Sequence, residues 1–389
     1  MAEQVYLDWN ASAPLRAEAR NALAAALELT GNPSSVHGEG RAARVVIEQA
    51  REAVAALVGA DPRNVTFTSG GTEANALALT PSIEIGGDKR VLERLLISAI
   101  EHPSVHAGGR FLRNQIEEIP VHATGVVDLT ALERMLAVGP RALASIMAAN
   151  NETGVIQPIA EAAEIVRRYG GLLHIDAVQA AGRVPLDIGA LGAGLMTLSA
   201  HKLGGAKGAG ALIKRDEAVH FSDPLIKGGG QERGARAGTE NVAAIAAFGA
   251  AATAAKTNLA SEIRHMRALR ERFEADLHAV TPGAIIFGSD AERLPNTTLV
   301  AMPGARAETL VIGFDLDGIA LSSGAACSSG KVAPSHVLAA MGVPVELARG
   351  AIRVSTGPVT TESEIDRFLE VWQKRVKSLS NGMKRGLAA

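Results

Sequence analysis

Residues 195–212 read LMTLSAHKLGGAKGAGAL. A short apolar run, Leu195 to Leu198, leads into Ser199, His201 and Lys202, and a glycine-rich stretch follows. A continuous apolar run of this length predicts a strand buried on both faces, as in a parallel sheet covered by helices. A lysine at the end of such a strand is poorly placed as a solubilising charge. It is well placed to bind an aldehyde covalently. Gly204, Gly205, Gly208 and Gly210 argue for a constrained backbone that another group approaches closely. The plainer alternative is a surface turn carrying a solvated lysine.

The same pattern extends upstream. VTFTS (Val65 to Ser69) predicts a strand followed by the helical TEANALAL. RLLISAI (Arg94 to Ile100) predicts a strand, a turn and a helix from near Pro103. ALASIMAA (Ala142 to Ala149), GLLHID and GLMTLSA read as further strands, and Pro158 to Gly170 as a helix with Pro at its start and Gly at its end. Apolar strands separated by helices predict an α/β fold with a mostly parallel sheet. Ligands bind such sheets outside the carboxyl ends of the strands. Ser69, Asn150, Asp176 and Ser199 fall at or just past predicted strand ends, and would line one rim. A long helical stretch from about Asn241 to His278 leaves this unit. NTTLVAM (Asn296 to Met302), AIRVST (Ala351 to Thr356) and a helix after Thr361 suggest a smaller α/β domain. The predicted division is residues 15–260 for the large domain, and 1–14 with 261–389 for the small one.

A chain of 389 residues is long enough for two domains. Lys+Arg is 39 against Asp+Glu 41, so the net charge of −2 suggests neither a nucleic-acid surface nor an anionic membrane as partner. Met1 to Asn10 lacks the basic start and apolar run of a leader. The longest apolar stretch, Val242 to Ala255, falls short of the roughly 20 residues a spanning helix needs and reads as a buried Ala-rich helix. The single cysteine, Cys327, excludes an intrachain disulfide framework and a multi-cysteine zinc site, and no metal is expected. A lone thiol is compatible with a reducing cytoplasm, the expected location.

Individual motifs sharpen the chemistry. SGGTEAN (Ser69 to Asn75) follows a strand and opens a helix, so its glycines and free N–H groups suit an anion such as a phosphate, with Thr72 as a further donor. An ordinary tight turn with Thr72 as the cap is the alternative. Ser199 and His201 could add donors beside Lys202. Asp176 ends an apolar strand, where an unpaired carboxylate is costly; a pyridinium N–H would offset that cost, as would a structural ion pair. Gln179, one turn on, could face the same ring. His102 follows a strand end and could stack on a ring or move a proton. Arg353, between Ile352 and Val354, needs an anionic partner such as a substrate carboxylate held by two parallel bonds, unless it points to solvent. Cys327 sits in SSGAACSSGK, among small residues that give an accessible loop, with Lys331 near. An amine, a carboxylate and a thiol in these settings suggest pyridoxal-phosphate chemistry with a sulfur step.

The ordered set of motifs resembles the cysteine desulfurase family, within the fold-type I pyridoxal-phosphate enzymes. It runs from YLDWNASAP through GNPSSVHGEGRAAR, FTSGGTEANALAL, EHPSV, NNETGVIQPI, HIDAVQAAG, SAHKLGGAKGAGAL, GGGQERGARAGTEN and SSGAACSSGKVAPSHVL to IRVSTGPVTTESEID. The resemblance implies that Lys202 forms the imine with pyridoxal 5'-phosphate and Asp176 holds the pyridine nitrogen. Gln179 and Asn151 would lie on the ring-hydroxyl side and His102 would stack on the ring. Gly71, Thr72, Ser199 and His201 would bind phosphate. Thr239 would reach the phosphate of a partner subunit, which implies a homodimer. Arg353, with Asn151, would hold the substrate carboxylate, and Cys327 would attack the substrate sulfur and carry a persulfide.

The chain departs from relatives in lacking a proline before Lys207 and in ending at NGMKRGLAA without a longer tail. The implied reaction takes L-cysteine to L-alanine and passes sulfur to a protein acceptor in iron–sulfur cluster assembly, tRNA thiolation or molybdenum-cofactor synthesis. A selenocysteine lyase or a class V aminotransferase is the alternative on the same cofactor. A non-catalytic sulfur carrier, or a nucleotide-binding protein using SGGTEAN, would share the fold class but not the full residue set.

Overall fold

The computed structural model describes residues 4–85, 88–324 and 335–386. A seven-stranded sheet dominates, in the order Val65–Thr68, Gly210–Lys214, Leu195–Ser199, Leu172–Asp176, Ala142–Met147, Arg94–Ser98, Ile116–Ile119. Gly210–Lys214 runs antiparallel to both neighbours, while the remaining pairs are parallel. The predicted strands at 65, 94, 142, 172 and 195 are present within one or two residues of their expected ends. Their apolar runs are buried on both faces, as helix-covered parallel strands require.

Two elements of the sheet escaped the sequence reading. Gly210–Lys214 hides in the glycine-rich run after Lys202. A Cβ at Gly210 would lie 2.5 Å from the carbonyl carbon of Gly70, so glycine is needed where the two backbones meet. Ile116–Ile119 is an edge strand of sequence IEEI, whose two glutamates mask the pattern. His174, in the middle of LLHID, is a satisfied core residue. It bonds Ser145 Oγ at 2.8 Å and Thr197 Oγ1 at 2.9 Å, and burial pushes its pKa down to about 4.

Helices Ala17–Leu27 and Gly38–Leu57 pack on the long helix Val242–Val280. The apolar half of that helix, Ala244 to Ala255, lies in the core of the large sheet, and Leu269, Phe273 and Leu277 lie in a second core. By length and composition it is the one helix among the described residues able to cross a membrane, yet its apolar half is packed inside the fold. The second core surrounds a four-stranded sheet ordered Ile285–Ile286, Thr297–Ala301, Ala351–Ser355, Ser322–Ser323. Phe314, Phe368 and Trp372 stack within it, and Phe273 meets Phe368 edge-on.

The N-terminal segment joins the two cores. Val5–Tyr6 pairs in parallel with Ile319–Ala320, and Asn10 N–H donates to Ser355 Oγ at 3.0 Å. Further along, Ala13 N–H donates to the His201 carbonyl, and Arg16 forms a two-bonded pair with Glu262 at 2.7 Å.

Candidate active site

The carboxyl ends of the parallel strands open into one cavity of about 280 Å3, near the lower bound of roughly 300 Å3 for small-molecule sites. Gly71, Thr72, His102, Asn151, Asp176, Gln179, Ser199, His201, Lys202 and Arg353 all line it. Nine of them come from strand ends, turns and helix starts around the large sheet, and Arg353 comes from the middle of Ala351–Ser355 in the four-stranded sheet, so the fold gathers residues as far apart as 71 and 353. Thr239 is exposed and does not line the cavity. Cys327 lies outside the described residues.

Lys202 sits on a single helical turn, Ala200–Lys202, directly after its strand. Its Nζ donates to the Ala11 carbonyl at 2.9 Å and to the Asn10 carbonyl. The N-terminal segment therefore aims the amine.

Asp176 is buried at the end of its strand and meets two donors. Val178 N–H donates to Oδ1 at 3.0 Å, and Asn75 Nδ2 donates to Oδ2 at 2.8 Å. Asn75 also donates to Ser104 Oγ at 2.9 Å. The carboxylate is thus fixed as an acceptor facing the cavity, with capacity left for a further N–H. That suits a pyridinium nitrogen.

Gly71 begins the helix Gly71–Ala78. A Cβ there would meet Val178 Cγ2 at 3.0 Å, so the backbone at the helix start runs tight against the floor. Glu73 seals the turn by accepting from Ser69 N–H at 2.8 Å. Burial raises its pKa, but the Arg236 pair at 2.9 Å and the Ser69 bond outweigh this and hold it low. The free N–H groups of this helix, with Thr72, Ser199 and His201, form a donor set for an anion. His201 contributes no charge at neutral pH. Burial, then Lys202, Lys207 and Arg183, push its pKa down to about 4.

His102 caps the helix Pro103–His106, its Nδ1 accepting from Ser104 N–H at 3.1 Å. The proton of the neutral ring then belongs on Nε2. Burial lowers its pKa, and Lys202 and His336 add to that, while Asp176 opposes them.

Arg353 is 2% exposed, not a solvated strand residue. Its anionic partner is within the chain: Nη2 meets Asp8 Oδ1 at 2.8 Å, and Nη1 donates to the Asn151 carbonyl at 2.9 Å. Asp8 Oδ2 accepts from Ser322 Oγ at 2.8 Å. Two of the five guanidinium N–H groups are used, which leaves a pair for a carboxylate in the cavity.

The model of the aminotransferase class-V family matches residues 5–368. The chain is 45% identical over 376 residues to a cysteine desulfurase of Cereibacter sphaeroides, covering 95% of each. The chain belongs to the cysteine desulfurases of the class-V aminotransferase family. A cysteine desulfurase IscS of Dictyoglomus turgidum is 39% identical and covers 97% of this chain and 96% of its own. The solved structure of a NifS-like protein from Rickettsia africae superposes with a TM-score of 0.86 at 37% identity, over 96% of this chain and 99% of the other. The desulfurase family uses pyridoxal phosphate, and the cavity fits that cofactor: a fixed carboxylate for a ring N–H, an anion cradle and a half-buried lysine share one lining.

Sequence reasoning missed several residues of this desulfurase cavity. Asn75 stood inside a quoted motif without a role, and Asp8 and Asn10 belong to the quoted N-terminal YLDWNASAP. Their partners Asp176, Arg353 and Lys202 lie 101, 345 and 192 positions away, beyond any local pattern. Glu101 and Glu152 were missed too. Glu101 Oε1 accepts from Met147 N–H at 2.6 Å; burial and the neighbouring Asp176 hold its pKa well above the carboxylate range. Glu152 Oε2 accepts from Ser335 Oγ at 2.5 Å, and burial raises its pKa to about 7.

Proposed function

We propose that this cavity converts L-cysteine to L-alanine, with the sulfur left as a persulfide on Cys327 for transfer to a protein acceptor. The observation that carries the reading is the gathering of ten expected site residues in one lining. Pyridoxal phosphate, when bound, withdraws electrons from the substrate Cα and so acidifies its proton. The chain's own residues do the rest.

Asp176, held by Asn75 and Val178, keeps the cofactor ring protonated. His102 would stack on the ring, and the helix start at Gly71 and Thr72, with Ser199 and His201, would hold the phosphate. Arg353 binds the substrate carboxylate on its unused N–H pair, beside Asn151. Lys202 would be the amine that holds the cofactor and the base that moves the Cα proton. The thiolate of Cys327 attacks the substrate sulfur, forming an S–S bond as the C–S bond breaks.

The division into a large unit of residues 15–260 and a small one of 1–14 and 261–389 belongs to this reading. The change of core along the long helix, between Ala255 and Leu269, supports it. A homodimer in which Thr239 serves the partner's cavity, and a cytoplasmic location, are part of the same proposal. Borohydride reduction followed by peptide mass mapping tests the lysine: the cofactor should be fixed on Lys202. Cys327→Ser should retain the cofactor's absorbance and lose sulfur release from L-cysteine. Cofactor fixed elsewhere, or normal turnover by Cys327→Ser, would refute the reading.

A further inference from the structure

Arg183 is a buried cation with no anionic partner among the described residues. Its guanidinium meets neutral oxygens: Nη1 donates to the Gln179 backbone carbonyl and to Gln179 Oε1, both at 2.7 Å. Nη2 reaches the carbonyls of Trp9 and Lys202 at 3.5 Å. Among the described residues no carboxylate lies in ion-pair range of it. The charged groups packed around it are Lys202, Arg353 with its Asp8, and the Arg16–Glu262 pair, which shares a small cavity with it behind Lys202. Burial and the repulsion of Arg353 push its pKa down to about 10, so it stays charged at neutral pH. A fold does not retain such a charge for packing alone.

The charge acts on one side chain of the cavity. Gln179 has its Oε1 against the guanidinium and donates through Nε2 to the Asn10 carbonyl at 3.0 Å. Turning the amide over would set its NH2 against a cation and its oxygen against a carbonyl. Both contacts forbid this, so the assignment of oxygen and nitrogen is forced. One hydrogen of Nε2 is engaged by Asn10, which leaves the second for a group in the cavity that Gln179 lines. The lining thus offers an acceptor at Asp176 and, three residues on, a donor backed by a full positive charge.

We propose that Arg183 is a positioning residue that locks the Gln179 amide as a hydrogen-bond donor to an anionic ring oxygen of the bound cofactor. The proposal rests on the reading of this cavity as the pyridoxal-phosphate site. A cation behind that donor favours the negatively charged oxygen and opposes protonation of the cofactor's linkage to Lys202. The midpoint of the cofactor's visible absorbance against pH should therefore lie lower with Arg183 than without it.

The test is absorbance against pH on holoenzyme carrying Arg183→Gln, Arg183→Lys or Gln179→Leu, with cofactor dissociation measured by equilibrium dialysis. Arg183→Gln should raise the midpoint by roughly one pH unit, the size expected for one charge removed several ångströms away under protein-like screening. Arg183→Lys keeps the charge and should shift less than half as far. Gln179→Leu should raise the midpoint too, and adding Arg183→Gln to it should change little more. A residue with a merely structural role would alter melting and leave the midpoint in place. If Gln179→Leu shifts the midpoint and Arg183→Gln does not, the role of Arg183 is overturned while the site stands. If Gln179→Leu leaves midpoint and cofactor affinity unchanged, the reading of the cavity fails and takes the proposal with it. Should Arg183→Gln not fold, Arg183→Lys decides. One ammonium cannot serve both oxygens of Gln179, so a cofactor affinity at least about threefold weaker is expected, and unchanged affinity and midpoint would overturn the proposal.

Discussion

Glu152 is a buried carboxyl whose removal should stabilise the protein at high pH. Its folded pKa of about 7 lies above the 4.5 of the free side chain. Burial is the main cause, and the Ser335 bond and Arg353 only partly offset it. The folded chain therefore binds this proton more tightly than the unfolded chain does. The stability it contributes is fully present below about pH 4.5 and is lost as pH rises through about 7. Linkage makes the loss about 0.8 kcal/mol at pH 5 and about 3.3 kcal/mol at pH 8. Glu152→Gln is neutral at every pH, keeps the shape and retains an oxygen for Ser335, so it escapes the loss. An unfolding entropy of about 2.1 cal/mol/K per residue gives roughly 0.8 kcal/mol/K for a chain of 389 residues. The variant apoprotein should melt about 4 °C above the parent at pH 8 and about 1 °C above it at pH 5. Scanning calorimetry of both proteins across that range measures the difference. Melting curves that stay parallel at all pH values would show that Glu152 is ionised in the folded state, and the reasoning would fail.

Three further perturbations test other contacts. Arg353→Lys replaces a two-pronged donor by a point charge, so KM for L-cysteine should rise roughly 10- to 100-fold; an unchanged KM with intact cofactor absorbance would remove Arg353 from substrate binding. Asn75→Ala takes away one of two donors fixing Asp176, at 2.8 Å. Cofactor affinity, read by equilibrium dialysis, should weaken about tenfold, as for loss of a bond to a charged group. Glu232→Gln breaks the pair with Arg51 at 2.7 and 2.8 Å, in which both side chains are nearly fully buried. About 3 kcal/mol should be lost, seen as a melting point roughly 4 °C lower at any pH near neutrality.

The rim of the sheet was legible because each parallel strand is a short apolar run that ends abruptly in a polar residue. Asp176 and Ser199 sit at the last position of their strands, and Lys202 follows within one turn. Such endings are local, so a reader of the chain meets them directly. The partners that make those residues work are not local. Asp8 reaches Arg353, Asn10 reaches Lys202 and Gln179, and Arg16 reaches Glu262, all from a segment that crosses from one core to the other. Nothing in YLDWNASAP records those destinations. Arg183 was invisible for a different reason. It directly follows the quoted stretch HIDAVQAAG, where an arginine after small residues reads as the solvated end of a turn, and only the packing shows that it is buried. The antiparallel strand Gly210–Lys214 was lost because the glycine that allows close approach to Gly70 also breaks the strand pattern.

The charges around the cavity bear on how the phosphate of the cofactor is held. Behind and within the lining, Arg353 faces Asp8, and Arg183, with no acid in ion-pair range among the described residues, bonds Gln179. At the anion cradle, His201 is neutral, with its pKa near 4, and Glu73 is an anion already matched by Arg236. Among the described residues lining that end, Lys207 is the cation, and it is exposed, so salt screens it. On the proposed reading, the grip on a phosphate dianion would therefore come mainly from fixed dipoles: the N–H groups at the start of Gly71–Ala78, and the hydroxyls of Thr72 and Ser199. Dipoles of this kind, partly withdrawn from solvent, lose little strength when ions are added. Exposed ion pairs lose most of theirs. Raising salt from about 0.05 M to about 0.5 M should weaken cofactor binding by less than about threefold. His201→Gln should behave like the parent across this range, because no charge is lost. A fall in affinity of tenfold or more with salt would mean that side-chain cations carry the phosphate, and the neutral state of His201 would be the first assumption to discard.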